Sequence, residues 1–283
     1  MTTSSSLSTH TVTVPGARLH YEVRGTGPLL IILGAPMSAA EFAPLAHALA
    51  GDHTVVTADP RGIAGSSVDD PTQDSTPDLR ADDVVAILDD LGAASADVFG
   101  SSGGAVTALA LAARHPDRVR TVVAHEPPLL ELLPDADAQR AATEDIIATF
   151  DRDGMFAAWG KFMANAGFDV PSDAPSDAPE MPDMPPPSDQ DLRDAAHFFT
   201  HELRATTRYL PHVEALKNAA VVLGLGEESG HLLTQRTTTA LAERLGVRPV
   251  MFPGDHGGFI GAPGVFADAL RAVLSRPEPH TGV

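Results

Sequence analysis

At 283 residues, 43% of them hydrophobic, the chain can bury the core of one large α/β domain or two small ones, and its lack of cysteine excludes disulfides and thiol chemistry. A formal charge of −19, with Lys161 and Lys217 the only lysines among 19 basic residues, repels phosphate backbones and anionic membranes, so nucleic acid and membrane are not expected partners. The longest apolar run, near residues 28–33, is far too short to cross a bilayer, and no signal peptide is visible at 1–9, so a cytoplasmic location is expected.

After a Ser/Thr-rich start, Thr11–Val14 and Leu19–Val23 alternate as strands around a Pro15-Gly16 turn, predicting a hairpin. Pro28–Leu33 is a continuous apolar run of the kind a buried parallel strand requires. A helix is expected over 39–50, then a strand over Thr54–Ala58 that ends in Asp59-Pro60-Arg61-Gly62. A polar loop leads to a helix over 79–91, with Val84, Val85, Ile87, Leu88 and Leu91 on its buried side. A strand over 96–99 and a helix over 105–113 flank Gly100-Ser101-Ser102-Gly103-Gly104, and the strand Val119–Ala124 delivers His125-Glu126-Pro127-Pro128. From 129 to 213 the pattern is helical, interrupted by a Pro-rich segment over 171–189 expected to be extended and irregular. Alternation resumes with a strand over 219–225, a helix over 232–245, a strand over 249–252 and a closing helix over 263–274, before a tail from 276. Strands alternating with helices predict a mostly parallel sheet with helices on both faces. The expected core is 1–128 with 214–275. Residues 129–213 form a helical cap over the carboxyl ends of the strands, where such sheets bind ligands.

The stretch Gly100–Gly104 fits G-x-S-x-G, a sharp strand-to-helix turn with a nucleophilic serine at its tip. Positions two before and two after the tip are too crowded for side chains, which selects Ser102; with Ser101 at the tip, Phe99 would occupy a crowded place. A serine hydroxyl needs a base to take its proton and an acid to orient that base. Of the twelve histidines, His256 alone sits just past the final strand in a glycine-rich loop, Gly254-Asp255-His256-Gly257-Gly258.

With these motifs in hand, the chain resembles the α/β-hydrolase fold over residues 11–274. The resemblance rests on Gly34-Ala35-Pro36 at a strand end, the Asp59–Gly62 turn, the serine turn and the histidine loop. It implies an oxyanion hole from the backbone N–H groups of Gly103 and Ala35. Leu33 stands where many members carry histidine, a departure that leaves a backbone donor untouched. Many relatives place the acid three residues beyond the glycine ending the strand before the penultimate helix. Here that residue is Ser229, with Glu227 and Glu228 adjacent but out of register. A subset, including the fungal zearalenone lactone hydrolases, uses the position of Glu126, and His125-Glu126-x-Pro with Ser-Ser-Gly is similar to their motifs. Glu126 is favoured on that resemblance, with Glu228 and Glu227 as alternatives; its competing role is to cap the first cap helix.

Met37, Trp159, Phe198 and Phe199 are the candidate substrate-pocket residues, and Phe156, Met163 and Tyr209 also suit the underside of a cap. His197 and His201, four apart, lack the acidic ligand of a zinc helix, so no metal is expected; without G-x-G-x-x-G or a P-loop, neither is a nucleotide. The expectation is a cofactor-independent serine hydrolase of a neutral, bulky ester or lactone. Carbon–carbon bond hydrolysis and non-catalytic ligand binding remain alternatives on the same fold.

Overall fold

A computed structural model describes residues 7–169 and 186–275. The expected tail lies outside these, as does most of the Pro-rich segment. Of its described residues, 186–188 are irregular as expected, and Ser188 caps, through a box with Asp191, a helix that begins at Asp189.

Strands β1 (Ser8–Val14) and β2 (Ala17–Arg24) form the hairpin, Val14 facing Ala17 across the turn. β2 runs antiparallel to β4 (Thr54–Ala58), and from β4 onward the sheet is parallel. β4 pairs with β3 (Leu29–Leu33), β3 with β6 (Ala96–Ser101), and β6 with β7 (Val119–His125). β8 (Val221–Gly226) and β9 (Val250–Phe252) complete that edge. A two-residue strand, β5 (Ser67–Val68), pairs with β2 inside the stretch read from sequence as loop.

Strand side chains alternate between two cores, which is why both faces of these strands had to be apolar. Ile31, Leu33 and Val98 meet α2 (Pro77–Asp90), α3 (Gly103–Arg114) and α9 (Leu233–Leu245). Leu30, Ile32 and Phe99 meet α1 (Ala43–Leu49), α10 (Gly258–Gly261) and α11 (Pro263–Leu274) on the other side. Helix α1 starts four residues later than expected. The Ala39 N–H donates to Asp59 Oδ1 at 2.8 Å instead of entering a helix, and Pro44 fits a first turn.

Between β7 and β8 the chain is helical. After a 3₁₀ turn at Leu130–Leu132 come α4 (Ala136–Asp153), α5 (Met155–Ala166) and α6 (Asp189–His197). A π turn at Phe198–Glu202 leads into α7 (Leu203–Thr207) and α8 (Val213–Leu216). Ile146, Ile147, Ala158, Ala195, Phe198, Phe199 and Leu203 form a separate core for this block. Ala158 is the one buried residue of α5, although the helix is apolar almost throughout, so its large side chains remain partly open.

Candidate active site

β6 ends at Ser101 and α3 begins at Gly103, leaving Ser102 to make the turn at φ 56° and ψ −125°. A non-glycine residue in that region is strained, and Ser102 is held there by its N–H donating to the His125 carbonyl at 3.0 Å. The crowding inferred from sequence is visible in distances. A Cβ on Gly100 would stand 2.3 Å from the Gly104 carbonyl oxygen, and one on Gly104 would stand 2.1 Å from that of Leu33. Ser101 is fully buried with Oγ 3.1 Å from His125 Nδ1, whereas Ser102 lines a large cavity.

Glu126 follows β7 at φ 53°, another strained position, and is completely buried. Its Oε2 accepts from His256 Nδ1 at 2.7 Å and from the Thr234 hydroxyl at 2.7 Å; its Oε1 accepts from the Gly226 N–H at 2.8 Å. Burial, the largest influence, pushes the carboxyl up, but the hydrogen bond and charge of His256 outweigh it and hold the pKa at about 2. The helix-capping role for Glu126 does not hold at the expected helix. The first α-helix after it, α4, begins ten residues on with Asp135 at its N-cap. Glu126 instead meets the N-terminal end of α9 through Thr234, and the Thr237 hydroxyl donates to the Pro127 carbonyl at 2.6 Å.

Glu227 and Glu228 are exposed; their N–H groups donate to the Phe252 and Gly254 carbonyls, and neither carboxylate is hydrogen-bonded among the described residues. Ser229 is fully buried, and among the described residues its Oγ makes no hydrogen bond of ordinary geometry, though it lies near enough to Glu126 to help hold that carboxyl low. His125 lies behind the site among Phe99, Phe252, Phe259 and Phe266, its ring 6.1 Å from that of His256. Complete burial lowers its pKa to about 4, which keeps this imidazole neutral.

Gly103 and Ala35 line the same cavity as Ser102 and His256. A Cβ on Gly103 would stand 2.5 Å from the Ala35 carbonyl oxygen, so the two loops touch. Neither amide donates a backbone hydrogen bond among the described residues, which leaves both free for an incoming oxygen. Ser102 Oγ makes no hydrogen bond to His256, whose Nδ1 is engaged by Glu126; serine–histidine contacts of this kind often tighten in the complex with substrate.

The cavity measures about 970 Å³ and lies between the sheet's carboxyl end and the helical block. Met37, Trp159 and Phe198 line it, as do Phe156 and Met163. Phe199 does not. It is wholly buried, stacked on Phe150 with centroids 5.2 Å apart, and belongs to the helical core. Tyr209 is also elsewhere, its hydroxyl donating to Asp78 at 3.2 Å. Four carboxylates, Glu41, Asp191, Asp194 and Asp255, line the cavity without a lysine or arginine. His197 and His201 sit with ring centroids 5.7 Å apart, and His201 Nδ1 is 3.2 Å from Asp74 Oδ1. Among the described residues no group of three His, Asp or Glu is placed to hold a metal.

Sequence reasoning missed Thr234 and the Gly226 N–H, which hydrogen-bond Glu126, and Thr237, which holds the adjoining Pro127 carbonyl. Three threonines at 237–239, beside Thr234 at a helix start, were the only trace, and nothing local pairs them with a carboxylate 108 residues away.

Residues 27–167 match the family described as alpha/beta hydrolase fold. An uncharacterized hydrolase of Bacillus subtilis (strain 168), YraK, is 30% identical over 285 residues, covering 98% of this chain and 99% of that protein. A zearalenone hydrolase of Cladophialophora bantiana is 33% identical over 121 residues, covering 41% of this chain and 46% of that protein. A crystal structure of a hydrolase from Pseudomonas aeruginosa PA01 superposes with a TM-score of 0.69 at 22% identity, covering 98% of this chain and all of the other. Similarity running the full length of YraK, on the sheet order and serine turn described above, makes this chain a member of the α/β-hydrolase fold family.

Proposed function

We propose that the protein is a serine hydrolase of esters or lactones working through an acyl-enzyme. The observation that carries this reading is the 2.7 Å contact of His256 Nδ1 with the buried Glu126 carboxylate, at a cavity that also receives the strained Ser102. An ionised carboxylate only accepts, so Nδ1 keeps its proton and Nε2 is left to accept one. Ser102 Oγ attacks the carbonyl carbon while His256 takes its proton, and the Gly103 and Ala35 N–H groups bind the oxygen as it becomes negative. His256 returns the proton to the leaving alkoxide, and a water deprotonated the same way releases the acid.

The helices of 129–213 act as a cap on the core of 1–128 and 214–275; the separate core around Ile146, Ala158 and Phe198 supports this, although Leu129 and Leu132 at the start of the block pack into the sheet's own core. Cavity size and the Met37, Trp159 and Phe198 lining favour a bulky apolar substrate, and four carboxylates with no lysine or arginine among the described lining residues disfavour an anionic one. Local similarity to a zearalenone hydrolase supports including macrolactones among the substrates tested. The test is labelling by a fluorophosphonate probe, with mass spectrometry of the adduct, followed by turnover of neutral and anionic ester and lactone pairs. Labelling at Ser102, lost in Ser102→Ala, is expected. Turnover without labelling, or labelling elsewhere, refutes the assignment.

A further inference from the structure

Glu126 is a wholly buried anion, and among the described residues its single ionic partner is His256. The other groups that keep it charged are dipoles. The Gly226 N–H of β8 serves Oε1, and the Thr234 hydroxyl shares Oε2 with His256 at the same 2.7 Å. Thr234 is the second residue of α9, whose positive end therefore faces the carboxylate. The threonine is itself anchored, since its carbonyl accepts the hydroxyls of Thr237 at 3.0 Å and Thr238 at 2.7 Å.

We propose that Thr234 is a positioning residue: its hydroxyl, donated to the oxygen that holds His256, fixes the plane of the Glu126 carboxylate and limits how strongly that carboxylate attracts a proton on the imidazole. The assignment rests on the hydrolase reading above. With three donors on two oxygens the carboxylate cannot swing about its terminal bond. Without Thr234 each oxygen keeps a single donor, so the carboxylate is held less firmly, and the charge on Oε2 falls on His256 alone. Two effects of opposite kind follow. Looser orientation lowers turnover, while stronger attraction for the protonated ring moves the pH at which the base becomes free upward.

The other titratable groups around the pair do not offer the same control. His125 of β7 is neutral and buried, and Asp255 commits Oδ1 to the Gly257 N–H at 2.8 Å. Glu227 and Glu228, beyond β8, are exposed. Ser102, on the cavity side, carries no charge until it reacts.

The experiment compares the parent with Thr234→Val, close in shape but without a donor, and with Thr234→Ser, which restores one. p-Nitrophenyl butyrate is the probe, with kcat and KM measured from pH 5 to 9. Thr234→Val should lower kcat about tenfold, a fraction of the value of a hydrogen bond to a charged group, and leave KM within about twofold. The pH of half-maximal kcat/KM should rise by about half a unit, and Thr234→Ser should return both quantities to within about twofold of the parent. A merely space-filling threonine would alter melting temperature but not the pH profile. If Thr234→Val does not fold, Thr234→Ala must show the same upward displacement. An active parent with an unmoved profile in the folded variant, or a serine variant no better than valine, overturns this assignment. A parent that neither reacts with fluorophosphonate nor turns over ester overturns the hydrolase reading instead, and this assignment with it.

Discussion

Replacing Glu126 by glutamine puts a donor into a site that already supplies three. If the amide nitrogen takes the Oε1 place, it faces the Gly226 N–H at 2.8 Å, and the remaining carbonyl still accepts from His256 without its charge. If it takes the Oε2 place, it faces His256 Nδ1 and forces that nitrogen to accept. The ring proton then sits on Nε2, which cannot take one from Ser102. Both orientations lose the negative charge that stabilises the imidazolium. The matching change in a serine protease costs about 10⁴-fold in kcat, or about 5 kcal/mol, and a loss of about 10³- to 10⁴-fold is expected here. Stability carries a second signature. Glu126 is depressed from 4.5 to about 2 on folding, so its contribution is present above about 4.5 and lost as pH falls toward about 2. That contribution is on the order of 3 kcal/mol, and the glutamine variant should lack this part of the acid transition. Turnover would be measured on protein shown to be folded by circular dichroism, beside Glu227→Gln and Glu228→Gln. Near-parental kcat in Glu126→Gln, or a larger loss in either loop variant, would refute the reasoning.

Gly104→Ala should destabilise the fold by about 1–3 kcal/mol and sharply reduce turnover, because its Cβ would stand 2.1 Å from the Leu33 carbonyl oxygen; a denaturation midpoint equal to the parent's would count against it. His125, depressed by burial to about 4 from 6.5, stabilises the fold above about 6.5 and loses that contribution as pH falls toward about 4. Urea midpoints should therefore drop over that interval, and His125→Gln should flatten the drop; an unchanged slope would mean this group is not responsible. Phe199→Ala should cost about 3–5 kcal/mol of stability by opening the helical core. Trp159→Ala, on the cavity wall, should instead raise KM for bulky esters, and the two effects exchanged would show the lining misassigned.

Local chemistry accounts for what was legible in the sequence. The continuous apolar run at 29–33 announced a strand buried on both faces, and the structure divides its side chains between two cores. Glycines at 100 and 104 announced a turn too tight for a Cβ, and the distances to Gly104 and Leu33 show why. Boundaries were less legible where a distant group intervened: α1 starts late because Asp59, twenty residues on, takes the Ala39 N–H. α10 was hidden in a glycine-rich loop that reads as irregular by composition.

Ser102 and His256 could be singled out because each is marked by its immediate neighbours, whereas what surrounds Glu126 comes from three separate parts of the chain. A carboxylate's partners depend on which strand ends lie side by side. Here the parallel pairing of β7 with β8 sets Gly226 beside Glu126, and α9 brings Thr234 from 108 positions away. Trp159, Phe198 and Phe199 tell the same story, since composition gives all three equal standing. Helix packing then turns Phe199 into its own core, while Trp159 and Phe198 reach the cavity. Sequence alone determined the layered α/β sheet and the strained serine, because periodicity and sterics act between near neighbours. Tertiary structure decided the hydrogen bonds of Glu126 and the cavity wall, because both depend on contacts between residues the chain keeps far apart.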